Sequence, residues 1–96
     1  MTLTVNIKSN FSVHEVSNVI RSALFMDERI TKHKRIKYLK ICNNFEKIHR
    51  MSSDVFLKKF ECGELDDSDD FFDWYAAKKG FDIWDRKLGI LSGITL

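Results

Sequence analysis

The sequence of 96 residues contains no proline, only four glycines and only two cysteines. Proline is the commonest breaker of helices, so its absence leaves long helices open to the chain. The glycines form no phosphate-cradling loop, and no serine or cysteine lies in a nucleophile pattern. Cys42 and Cys62 stand alone, far apart, each at an apolar position of a helical pattern. They are expected to be reduced core thiols. No stretch approaches the roughly 18–20 apolar residues that a membrane span requires. The opening residues Met1 to Lys8 show no basic leader followed by an apolar run, so no signal peptide is expected and the chain reads as cytoplasmic.

Aromatic side chains and charge are plentiful. Eight Phe, two Trp and two Tyr are generous for a chain of this size, and 44% of residues are hydrophobic. A chain this short has interior for one core, which makes residues 1–96 a single domain. The net charge of +2 hides an asymmetry. Residues 1–50 carry ten Lys/Arg against four Asp/Glu, or +6; residues 51–96 carry six against ten, or −4. The chain therefore has a basic first half and an acidic, aromatic second half.

Hydrophobic periodicity predicts the elements. Leu3, Val5 and Ile7 alternate with Thr2, Thr4, Asn6 and Lys8, the period of a half-buried strand. One short strand is not stable alone, so it calls for its twin in a homodimer or for a partner's sheet edge. Ser12 and Glu15 form a capping-box pattern at a helix start. A helical stripe then runs through Val13, Val16, Ile20 and Leu24 to about Met26, and another through Tyr38, Ile41, Cys42, Phe45 and Ile48. Residues 27–32 read either as a link or as continuing helix. Ser52 or Ser53 caps the next helix, which Gly63 ends. Trp74, Ala77, Phe81, Trp84, Leu88 and Leu91 then recur at spacings of three and four, a heptad pattern in the last helix. Gly80 interrupts that helix at a kink or a close helix contact. The fold class is mainly α, with a short N-terminal strand followed by three or four helices, the last one long and amphipathic.

Catalytic and metal chemistry find no foothold. An EF-hand loop begun at Asp66 would need glycine sixth and glutamate twelfth, where Phe71 and Ala77 stand. His14, His33 and His49 lack ligands at metal spacing and are assigned to the surface. Arg29 and His33 are too close to match the arginine–histidine motif of helical ribonucleases. No enzyme activity and no cofactor are expected.

Two constellations suit binding. Within residues 29–50, eight Lys/Arg face only Glu46. Lys32, Lys34, Arg35, Lys37 and Lys40 are the candidate nucleic-acid contacts, in a small transcriptional regulator that uses this segment on DNA. A ribbon-helix-helix reading, with the strand in the major groove, lacks the expected turn, because Asp27-Glu28-Arg29 stands there. The other reading of the basic segment is a solvated face balanced by the acidic half. The second constellation is Phe71-Phe72-Asp73-Trp74-Tyr75. Neighbours on a helix lie about 100° apart, so four aromatics here cannot all face one core. Phe72 is the residue expected outside the main stripe. Phe71, Phe72, Trp74, Tyr75, Phe81 and Trp84 are the candidate partner contacts.

Residues 51–75 also carry a capped S-x-x-x-F-L-x-K-F helix (Ser52 to Phe60), then Gly63-Glu64-Leu65, an acidic link, and F-F-x-W (Phe71 to Trp74). This segment resembles a family of small prokaryotic antitoxin-like proteins from toxin–antitoxin pairs. The resemblance covers about a quarter of the chain and implies a protein that masks a cognate toxin through its helical surface, often as a homodimer. An acidic, aromatic second half would suit a basic, RNA-cleaving toxin, because opposite potentials speed encounter.

Overall fold

The computed structural model describes residues 2–96. Ser12 opens the first helix, α1, Val13–His49. Its hydroxyl accepts from the Glu15 N–H and the Glu15 carboxylate accepts from the Ser12 N–H, both at 3.1 Å. This capping box satisfies two of the orphan donors at the helix start. The helix then runs 37 residues without a break, about 55 Å at 1.5 Å per residue. Residues 27–32 are thus helix and not a link. Nothing there breaks it: Glu28 pairs with Lys32 one turn on at 3.3 Å, and Asp27 reaches across to Lys87 at 3.2 Å. Arg50, in the left-handed region at φ 54°, turns the chain out of the helix.

The short α2, Ser53–Glu61, starts where the Ser52 hydroxyl accepts from the Val55 N–H. The Glu46 carboxylate of α1 accepts from the Ser53 N–H at 2.7 Å, tying the two helices together at an otherwise orphan donor. Gly63, at φ 72°, supplies the left-handed turn after α2. The third helix, α3, spans Asp69–Ser92, with Ser68 as its cap and Asp69 and Asp70 at the positive end of its dipole.

Helix α3 runs back along α1. Tyr38 meets Gly80, Arg35 meets Asp85 at 2.7 Å, Asp27 meets Lys87, and Arg21 donates to the Leu96 carbonyl at 3.0 Å. Numbers fall on one side as they rise on the other, so the pair is an antiparallel hairpin. Two turns of α1, residues 13–20, extend beyond the end of α3. At the other end α2 folds over the hairpin and closes a core of Cys42, Phe56, Trp74 and Ala77. Phe56 stacks on Trp74 at 3.9 Å between centroids, almost parallel. The buried indole N–H of Trp74 donates to the Ser53 hydroxyl at 2.9 Å.

The molecule is long: 61 × 24 × 18 Å, with a radius of gyration of 19.2 Å. A compact chain of this length would have about 12–13 Å. Its accessible surface of 7593 Å² compares with about 5,700 Å² for a compact protein of 11.3 kDa. Two helices side by side leave most of each helix in solvent.

Three expectations are corrected. No strand forms at residues 2–8; they run as exposed chain outside regular structure. A strand needs a second one to receive its N–H and C=O groups, and the described part of one chain offers none. Of the three or four helices expected, three form among the described residues, because α1 is continuous. Cys62 is exposed, since it caps α2 where the chain turns away from the core, whereas Cys42 is buried; both are free thiols. His49 is half-buried, stacked between Phe45, Phe71 and Trp74. Among the described residues no helix is long and apolar enough to cross a membrane.

Candidate functional site

The seam between α1 and α3 sorts the candidate residues into those consumed by the fold and those left outside it. Trp74 has no accessible surface. While the fold stands it touches no partner. Phe71 packs on His49 and Phe56, and Tyr75 stacks on Phe60 at 4.8 Å. Phe81 lies beneath the Arg35 guanidinium at 5.0 Å, and Trp84 beneath the Lys87 ammonium at 5.2 Å. All four are half-buried. Phe72 differs: it is 51% exposed, and its aromatic contact among the described residues is an edge-on one to Phe60.

Phe72 sits in an acidic neighbourhood. The link and first turns around it carry Glu64, Asp66, Asp67, Asp69 and Asp73, and none of these pairs with a cation among the described residues. The other acids of the second half are engaged. Asp54 and Asp82 both grip Lys78, at 2.9 and 2.8 Å, while Asp85 holds Arg35 and Glu61 lies 3.9 Å from Lys79. Burial works against the charge of Lys78, yet hydrogen bonds to Asp82 and Asp54 outweigh it and raise its pKa above the ordinary lysine value. Burial likewise raises the pKa of the Cys42 thiol.

Sequence reading missed the continuation of the Phe72 face. Counting by threes and fours from Phe72 gives Ala76, Lys79, Ile83 and, further on, Ile90, all exposed. Ile83 and Ile90 thus line the side of α3 turned away from α1. The signal was present as a second stripe, masked by the stronger one through Trp74.

The basic segment is also sorted. Arg35 is engaged by Asp85 and Phe81, whereas Lys32 stays largely exposed in a surface pair with Glu28 one turn back. Lys34, Lys37 and Lys40 are exposed and pair with no carboxylate among the described residues. Arg29, His33, Lys37, Lys40, Asn44 and Lys47 follow one another at spacings of four, four, three, four and three. They form one strip on the face opposite buried Thr31, about 27 Å long and without an acidic residue. Within this segment Arg35 takes Asp85 and the His49 ring lies 3.5 Å from Asp70; no other residue of it takes an acid from the second half among the described residues. The two halves do not neutralise one another.

Among the described residues no three His, Cys, Asp or Glu side chains converge as a metal site. No protein-family model, curated protein or solved structure matches the chain.

Proposed function

We propose that this chain is an antitoxin-like interaction protein that binds and masks a basic toxin through the acidic, aromatic end of its helical hairpin. The observation that carries the reading is the position of Phe72. It is a large aromatic standing free beside unpaired carboxylates while the aromatics around it pack inward. Aromatic anchors of this kind supply binding energy, and the surrounding charge supplies steering and choice of partner. The exposed line through Ile83 and Ile90 extends the contact along α3. The motif of residues 52–74 supports the same reading by resemblance.

The test is growth. A neighbouring reading frame is expressed alone and then with this chain. Arrest relieved by the chain, and not by its Phe72→Asp variant, supports the reading. A toxic neighbour left equally toxic by the intact chain counts against it.

The basic strip of α1 favours a second reading, a small nucleic-acid-binding regulator acting in the cytoplasm. An unpaired cationic face of this length can follow phosphates, and α-helices fit the major groove of a duplex. Short duplex DNA is the probe. Binding should fall steeply with salt, and Lys37→Glu with Lys40→Glu should abolish it; no binding at low salt ends this reading.

A further inference from the structure

The end of the hairpin away from the aromatic core is neither acidic nor basic. Residues 2–20 contain one lysine, one glutamate and one histidine, and most of their apolar side chains are exposed. Leu3 is 85% exposed, Val5 63%, Val13 71% and Val19 69%. A shallow depression lined by Phe11, Glu15, Val16, Val19 and Ile20, its exposed wall apolar, marks the part of α1 that α3 does not reach. Isolated exposed apolar residues are ordinary, but a contiguous group at an unpaired helix end is a contact surface.

We infer that this tip is the dimer interface of the protein and that its occupant is a second copy of the same chain. Three features of the molecule select that occupant. Charge is the first. Two copies meeting along the basic strip of α1 would oppose Arg29, Lys37, Lys40 and Lys47 to their own kind, whereas two tips bring together almost no like charge. The pattern of residues 3–7 is the second. An antiparallel ribbon with Val5 on the two-fold axis places Leu3 opposite Ile7 of the other copy, and Val5 opposite itself. All the apolar side chains then share one face. In the same register Lys8 lies opposite Thr2 of the other copy, and the two lysines stand at opposite ends. The segment is self-complementary, as a two-fold interface requires. Area is the third. The accessible surface exceeds that of a compact chain by about 1,900 Å². A standard interface takes about 800 Å² from each partner. One dimer contact at the tip fits within that excess and leaves the Phe72 face and the basic strip free.

The pairing also resolves the alternation seen in the sequence. Backbone groups at residues 2–8 that a single chain leaves to water acquire ladder partners in the dimer.

Sedimentation of the full chain at micromolar concentration should give the mass of two copies. Val5→Asp combined with Val19→Asp should weaken association on the order of 100-fold or more, because charge enters an apolar contact on both copies. Its helical circular dichroism should be unchanged, since neither residue is buried in one chain. Lys37→Glu should leave the dimer intact. Register is tested with free cysteines in a Cys62→Ala background: Val5→Cys should form an interchain disulfide rapidly and Lys8→Cys should not. A monomer under these conditions overturns the inference and leaves the tip to another protein. A dimer indifferent to the double substitution, or equal cross-linking at positions 5 and 8, overturns it as well.

Discussion

The ring of Tyr38 lies directly against the bare α-carbon of Gly80, so closely that a β-carbon there would stand 2.9 Å from Cε1. Gly80 is what lets α1 and α3 approach at this level. Elsewhere on an exposed helix Gly→Ala would gain about 1 kcal/mol in helix propensity. Here overpacking, typically about 1–3 kcal/mol, opposes that gain. Gly80→Ala is therefore expected to lower stability by roughly 1 kcal/mol. In a Tyr38→Ala background the same change should stabilise. Urea denaturation of the four variants checks it; a gain from Gly80→Ala in both backgrounds would show that the ring yields freely.

Thr31 is fully buried in the α1–α3 seam, and its hydroxyl has no hydrogen-bond partner among the described residues. Thr31→Val keeps the shape and removes the unsatisfied group. The expected result is a gain of about 1 kcal/mol in the unfolding free energy. A loss on substitution would mean that the hydroxyl has a partner in solution.

Ser53 accepts the buried indole N–H of Trp74. Ser53→Ala strands that donor and is expected to cost about 1–3 kcal/mol. Trp74→Phe removes the donor as well, so the double variant should lose less than the two single losses added together. Additive losses would deny the bond any role in stability.

Lys78 is nearly buried between Asp54 and Asp82, and its pKa is raised in the folded protein. A raised lysine stabilises the fold fully below its unfolded pKa, near 10.5, and loses that contribution as pH climbs through the folded value. The stability difference between the protein and Lys78→Gln should hold constant through neutral pH and shrink only under strongly alkaline conditions. A difference that already shrinks near neutrality would contradict the pairing.

The two thiols should separate cleanly under alkylation. Cys62 is exposed, whereas Cys42 is buried with a raised pKa, and the thiolate is the reactive form. One equivalent of iodoacetamide should be taken up quickly by the folded protein and a second only after denaturation. Rapid uptake of two by the native state would mean that the core opens readily.

What the sequence made legible was whatever depends on local period and local hydrogen bonding. The capping box at Ser12 and Glu15, the left-handed Gly63, the heptad seam from Trp74 to Leu91 and the outward position of Phe72 all follow from spacing. The close contact at Gly80 was one of two local readings, and only Tyr38 decided it. What depends on the opposite helix was not legible. Continuity through Asp27 reflects partly the reach of Lys87 from α3, and the loss of Arg35 from the basic face depends on Asp85 of α3 taking it. Ile83 and Ile90 belonged to a stripe that could be recognised only once the Trp74 stripe was known to face α1.

The unbroken course of α1 has a mechanical consequence. One rod joins the apolar tip to the aromatic core, so the angular phase between those ends is fixed by residue count. A single alanine inserted in the overhang, between residues 19 and 20, would swing the tip by about 100° and disturb no contact with α3. Four inserted residues would restore the phase to within about 40° while moving the tip outward by about 6 Å. Helix α1 thus acts as a ruler and a torsion bar at once, setting both how far apart and in which direction two distant surfaces present themselves.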